Sequence, residues 1–495
     1  MKIAGAIAYN DIVLPCYYEC RHIKSFKHIH SSLCSRSLCK NLNSENVPII
    51  TMPRKGKGKT TKRTAPPCVI VDLGSCSIKA GFAGIETSSP WLPDISISTA
   101  VLPTENRATM IGDIARNQWD RRAEVIRPIK RGKICDIEKL KLLLTDTLCN
   151  RMEINPKKQH ILFADAPGRG YGSSGDRRNL MEWALEKLGM LSCMFIPQPV
   201  LGAFATGRTT ATVVDSGFES SSSTVVIDGA MKQKNVMRLN HPSQEDQMLQ
   251  MLLKNERIST KEGDGLPSVN DVGPCCRQIA EKTCYCYVGQ DVQKEINSAK
   301  AGRTKRKYQL PDGSWLPVSE ERFLIPETLF GGTFGNRWNP STRTAGVGGL
   351  GNGGLGGAVA HQLKQHYERY WDLSRNIIAI GGRSETEGFD ARLDLEISKG
   401  LGLLPRKKRS LEDDDADKEE EVFEEHGEVK TNEKIFRRPK IVQNQRNQKK
   451  EQRINATWAG GAMISSIDAM RSLWITKEEF KEMGADVCLD RRRMS

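Results

Sequence analysis

Two short stretches carry residue types that could grip a phosphate chain. The first, "VDLGSCSIK" (71–79), is an apolar strand that meets Asp72, Gly74, Ser75 and Cys76 and leaves as a second strand. The second, "TVVDSGFESSSSTVVIDG" (212–229), repeats the layout with Asp215, Ser216 and Gly217. A tight turn of this kind aims backbone N–H groups at an anion. A flanking aspartate suits Mg²⁺ held through water, because that ion sheds its hydration reluctantly. Two such hairpins, each opening one half of a chain, could close on a phosphate chain from both sides. Either one alone is equally a plain tight turn.

From Cys68 onward the surrounding chain alternates strands and helices in the α/β manner. Ile137, Leu140, Leu144 and Leu148 recur at helical spacing and predict a helix over 137–152. Leu180, Ala184 and Leu188 predict another over 176–190, with Asp176 as its N-cap. "HILFADAP" and "MFIPQP" read as short buried strands on either side of that second helix. Near the end, Thr476 and Glu479 form a capping box and Gly484 is placed to stop the helix.

Other candidates fall away on spacing. "GKT" at 58–60 lacks the glycine that a P-loop needs five positions earlier, where Pro53 stands. "TAGVGGLGNGGLGG" (344–357) satisfies GxGxxG in several overlapping registers, the mark of low complexity, and reads as a flexible loop. Cys16, Cys20, Cys34 and Cys39 with His22, His28 and His30 fit no standard zinc spacing. The cysteines show no repeating pattern, and several, such as Cys68 and Cys193, sit in apolar strand-like segments, as in a reducing compartment. No stretch reaches the roughly 18 apolar residues that span a bilayer, so no membrane partner is expected.

The net charge of +14 is gathered into runs. One is the basic arm "MPRKGKGKTTKRTAPP" (52–67). Another is "PRKKR" (405–409), followed by an acidic run to Glu428. Like-charged blocks repel themselves into disorder and serve as interaction tails or localisation signals. Residues 1–67 are therefore expected to be a disordered leader with a basic arm, Met52 being an alternative start, and 404–452 a charged disordered insert. Without interleaved aromatics, the basic runs predict only nonspecific attraction to nucleic acid.

Further segments fall in a fixed order around the hairpins: "IGDIARNQ" (111–118), "RPIKRGKI" (127–134) and "QPVLGAFATGR" (198–208) lie between the two, and "EKTCYC" (281–286) and "YQLPDG" (308–313) follow the second. After them come "ERFLIPETLF" (321–330), "NIIAIGG" (376–382), "WAGGAMISS" (458–466) and "WITKEEFKEMG" (474–484). Together with both hairpins, this series resembles the actin family. The resemblance implies an actin-like α/β fold, two similar α/β domains, each a mixed five-stranded sheet flanked by helices, around a central nucleotide cleft. The first domain would span 68–210, with a small insertion subdomain at about 93–130. The second would span 211–403, with a Gly-rich loop at 331–357, and helices in 453–495 would pack back on the first.

By the same resemblance the cofactor is ATP or ADP with Mg²⁺. Asp72 and Asp215 would serve the metal through water, and Gly74, Ser75, Cys76, Ser216 and Gly217 would present the two turns to the phosphates. Lys79 would neutralise the β-phosphate, Gln198 would be the catalytic residue that orients the attacking water, and Arg277, Glu281, Gly381 and Gly382 would lie at the adenosine.

The departures from the family pattern gather in this cleft. Cys76 stands where the family has Gly, and Phe218-Glu219 where it has Asp-Gly. A turn needing φ > 0 there would be strained by about 1–2 kcal/mol, and Glu219 would repel phosphate. The family's hydrolytic His is replaced within Ser220 to Ser223, its Lys before Glu281 by Ala280, and its Thr-Thr after the Gly pair by Arg383-Ser384. Losing one preorganised donor costs about 10²–10³ in rate, so the expectation is nucleotide binding with little or no turnover. The resemblance and its departures together imply a divergent actin-related protein serving as a structural or scaffold subunit of a multiprotein complex, in the nucleus and of the chromatin-remodelling kind. Its expected partners are the other subunits, actin or actin-related proteins among them. The alternative is a cytoplasmic, cytoskeletal actin-like protein that forms or caps filaments.

Overall fold

The computed structural model describes residues 68–83, 92–104, 108–167, 174–260, 265–289, 292–330, 354–403, 428–431, 434–437, 439–442 and 451–491. The expectations for the leader, its Cys and His residues, the basic arm, most of the Gly-rich stretch and the charge runs at 405–427 fall outside these residues. No described helix is long and apolar enough to cross a membrane.

Two mixed sheets organise the chain. In the first, strands β1 (Cys68–Leu73) and β2 (Ser77–Ala83) form an antiparallel hairpin, with β3 (Ile95–Ser98) on its outer edge. On the other side β4 (His160–Asp165) runs parallel to β1, and β5 (Ser192–Pro197) parallel to β4. The two-residue strand Ile475–Thr476 closes that edge. The second sheet repeats the plan. Strands β6 (Ala211–Ser216) and β7 (Ser220–Ile227) form the hairpin, β8 (Ala230–Asn240) extends it, and β9 (Ile377–Ile380) lies parallel to β6. The sheets thus have six and four strands where five each were expected. The C-terminal segment adds a strand to the first, and in the second a single bridge from Ile377 to Ile441 stands where a fifth strand would be.

Burial explains the pattern. All six residues of β1 are buried, as for a strand covered on both faces. Val69, Val71 and Leu73 pack with Leu140, Leu144 and Leu148 of the predicted helix, which runs from Ile137 to Thr145 and continues in wider turns to Arg151. Cys68 and Ile70 face the other way, into a layer that also holds Val213, Val226, Ile378 and Ile380 of the second sheet. Helix α1 (Gln198–Ala205) belongs to this shared layer, as does Trp458 of α5 (Glu451–Ser465). A Cβ on Gly460 would lie 1.9 Å from Leu201 O, so only glycine lets α5 cross α1 at this distance. Between them in sequence come α2 (Cys276–Thr283), α3 (Gly354–Gln365) and α4 (Phe389–Leu401).

Several expectations need correction. The helix over 176–190 is already formed at Ser174, so Asp176 sits in its first turn and not at its cap. Ile95–Ser98 belongs to the first sheet, so the inserted part begins after it. Residues 354–357 of the Gly-rich stretch are the first turn of α3, because Gly356 lets the helix approach Glu396 of α4 closely. The charged insert is not disordered throughout. Strands Glu428–Thr431 and Lys434–Arg437 pair, and Phe436 and Ile441 are buried beside Tyr370 and Leu373. Thr476 and Gly484 act as expected: Thr476 Oγ1 accepts from Glu479 N at 3.1 Å, and Gly484 breaks the helix with φ of 76°.

Candidate functional site

The ligand crevice of an α/β sheet lies beyond the carboxyl ends of its strands, where neighbouring connections diverge. Here the ends of β1, β5, β6 and β9 surround one cavity of about 480 Å³, within the range of small-molecule sites. Asp72, Gly74, Ser75, Cys76, Lys79, Gln198, Asp215, Gly217, Arg277, Glu281, Gly381 and Gly382 all line it. Ser216 is fully buried and is not part of the lining.

The two turns are built alike. Gly74 N donates to Ser77 O at 3.2 Å, and Gly217 N donates to Ser220 O at 3.0 Å. Thr99 Oγ1 donates to Gly74 O at 2.7 Å and Gly132 N to Ser75 Oγ at 3.1 Å, fixing the first turn from outside. Gly381 seals the facing wall. Its φ is 88°, and a Cβ there would stand 2.6 Å from Asp215 Oδ1, so this position requires glycine.

The carboxylates of Asp72 and Asp215 interact across the cavity. Burial, then the charge of Asp72, pushes Asp215 up to about 7. Two carboxylates that oppose each other's ionisation in a buried site form a setting that a divalent cation relieves, so these residues fit Mg²⁺. Gln198 Nε2 donates to Asp72 Oδ1 at 2.9 Å. Lys79 Nζ donates to Asp72 Oδ2 at 3.3 Å and to Ile454 O at 2.8 Å.

The expected conflicts in the turns do not arise. Among the described residues, Cys76, Phe218 and Glu219 are not in the left-handed region, so neither turn is strained. Cys76 Sγ accepts from Arg277 Nη1 at 3.2 Å and Arg116 Nη1 at 3.5 Å. Glu219 faces away from the cavity: Arg127 Nη1 donates to it at 2.9 Å and the Arg131 amide at 2.9 Å. Arg116 pairs with Glu245 and Arg122 with Asp246 nearby. These pairs join the segment 113–131 to the β6–β7 turn and to the helix Gln244–Lys254, bridging the two sides of the cleft.

A histidine does reach the second hairpin, from beyond β8. Ser216 Oγ and Ser221 Oγ are 3.2 Å apart, Ser221 Oγ meets His241 Nε2 at 2.9 Å, and Arg383 Nη1 donates to His241 Nδ1 at 2.8 Å. Arginine can only donate, so at the shorter contact Nδ1 accepts, and the imidazole is neutral with its proton on Nε2; Pro242 O, 3.2 Å from Nδ1, is then a neighbour and not a hydrogen-bond partner. Burial, then the Arg383 charge, holds its pKa well below the usual histidine range. His241 had no sequence signal, since it precedes Pro242 in an ordinary polar turn. Arg383 was visible only as a departure, and Arg238, which also lines the cavity, lay unmarked at the end of a strand.

Fold and cavity together define a class: a duplicated α/β protein in which a hairpin from each half faces the other across a cleft. The Actin family model matches residues 64–268 and 271–493, and the chain belongs to the actin family. It is 25% identical over 471 residues to actin-like protein 9 of Rattus norvegicus, covering 91% of this chain and 95% of that protein. It is 26% identical over 431 residues to actin-like protein 9 of Mus musculus, covering 85% and 86%. The Homo sapiens protein of that name is 26% identical over 452 residues, covering 89% and 92%. The chain is a divergent actin-related protein.

Proposed function

We propose that this actin-family chain is a structural subunit of a multiprotein assembly that holds ATP or ADP with Mg²⁺ and turns it over little. Asp72 and Asp215 hold the ion through its waters, the Gly74–Ser75 and Gly217 turns take the phosphates, and Gly381, Gly382, Glu281 and Arg277 border the nucleoside. The bound ion would supply charge neutralisation for the phosphate chain. The observation that carries the low-turnover reading is Gln198: it lines the cavity, but its Nε2 is engaged with Asp72, which restrains the amide that would orient an attacking water. Hydroxyls occupy Ser220 to Ser223, and His241 is committed to Ser221 and Arg383.

The basic runs at 53–64 and 405–409 support a nuclear site of action, of the chromatin-remodelling kind. Two measurements test the reading. Purified protein should retain nucleotide through gel filtration and hydrolyse it far more slowly than filament-forming actin does; hydrolysis at actin-like rates overturns the structural role. A tagged chain lacking 53–64 and 405–409 should leave the nucleus. An intact chain that is cytoplasmic and sediments with filaments favours the cytoskeletal reading.

A further inference from the structure

The hairpin of strands Arg306–Gln309 and Trp315–Val318 has two unlike faces, and none of its residues lines the cleft cavity. The register sets Tyr308 opposite Leu316 and Arg306 opposite Val318, and Leu316 and Val318 are buried in a core with Ile279 and Ile325. Alternation then puts Lys307, Gln309, Trp315 and Pro317 on the outer face. Trp315 is 57% exposed, more than any other described tryptophan or phenylalanine. Lys307 is its diagonal neighbour on that face, a separation that long and aromatic side chains span. Charge gathers at the same strand. Lys300, Arg303, Lys305, Arg306 and Lys307 are all exposed, no acidic residue interrupts 300–307, and among the described residues none of the five cations pairs with a carboxylate. Burial, then the charge of Arg306, lowers the Arg322 guanidinium from its ordinary value. This run is also built into the fold: Ser319 Oγ donates to Ala299 O at 3.2 Å, and Arg322 Nη1 donates to Thr304 O at 2.5 Å.

Exposed cations alone suit any polyanion. A flat ring standing beside them adds a surface on which any base stacks, and a run of carboxylates offers nothing to match it. We propose that this hairpin face binds single-stranded nucleic acid, Trp315 stacking on a base while Lys307 and the cations before it take the flanking phosphates. Duplex keeps its bases inside the stack and is the weaker ligand. The aromatic that the basic tails lack in sequence is supplied here by strand pairing, which brings Trp315 beside Lys307. This surface is independent of what the cleft holds.

The test uses the full chain as wild type, as W315A and as the triple variant R303Q/K305Q/K307Q. Fluorescein-labelled oligo-dT, duplex DNA of the same length and poly-glutamate are titrated by anisotropy over a salt series. Each phosphate contact to a single strand contributes about 0.7 to the slope of log affinity against log salt. The triple variant should therefore flatten the oligo-dT slope by about two, whatever the basic arms add. W315A should weaken oligo-dT about tenfold, with its salt slope and the binding of duplex and poly-glutamate unchanged. An oligonucleotide carrying 5-iododeoxyuridine, photo-crosslinked to wild type, should mark the peptide that holds Trp315, a readout that needs no variant to fold. Crosslinks that spare Trp315 overturn the proposal, as does a W315A that binds oligo-dT as tightly as wild type. A triple variant that loses poly-glutamate and keeps oligo-dT also overturns it, and would make the face a dock for an acidic protein.

Discussion

At His241 a single proton decides whether the second hairpin keeps its network. Nδ1 accepts from Arg383, so a proton placed there would confront a guanidinium with an imidazolium. The folded-state pKa lies below that of the unfolded chain, near 6.5. The neutral form is therefore the one the fold prefers. Its contribution to stability is complete above about pH 6.5 and is lost as pH falls below that value. Melting curves between pH 7 and pH 5 should show a larger loss for wild type than for H241Q, and equal slopes would refute the network's importance. This part of the site was illegible in the sequence. Ser221 lies on β7 and His241 just past the end of β8; they meet only through the register that pairs Ser220 with Asn240, and no spacing rule anticipates such a meeting. Asp72, Lys79, Asp215 and Gly217 were legible because each hairpin is local.

Elements fared better where periodicity was strong and worse where charge masked it. The strand at 160–165 and the helix beginning at Ile137 came from buried spacing alone. Phe436 and Ile441 escaped notice because each belongs to a two-residue apolar pair, Ile435-Phe436 and Ile441-Val442, set among lysines and arginines, yet both pack into the second core. The segment 113–131 was read as part of an insertion and is also a latch. Arg127 is about a third exposed and Glu219 mostly buried, so their pair is worth about 1 kcal/mol after solvent screening. R127A should therefore speed nucleotide release by about fivefold, with E219A adding little once Arg127 is gone. Stopped-flow release of a fluorescent nucleotide at low and high salt checks this. Release rates insensitive to both changes would mean that the pair latches nothing.

Across the whole molecule, the shared layer containing α1 and α5 makes the two sheets one body. Ile70 and Leu162 of one sheet and Val213 and Ile378 of the other meet within it. No single segment dictates this arrangement. The family order of motifs predicted two halves but not how closely Gly460 would seat one helix on the other. The charged insert has a further consequence for chain connectivity. It leaves at Leu403 and returns at Glu428, and both Leu403 and the nearby Phe436 are buried in the second core. The chain is thus anchored on both sides of 404–427, and the length of a flexible connection between fixed ends enters the free energy only logarithmically, at about 0.6 kcal/mol per doubling. Replacing 405–427 with a neutral Gly-Ser linker of half the length should leave the melting temperature within a degree or two, by differential scanning fluorimetry. A large drop would mean that the connection braces the fold. If the prediction holds, this is a site where lineages can lengthen, shorten or recharge the chain at almost no structural cost, and where a reporter domain could be inserted without disturbing the cleft.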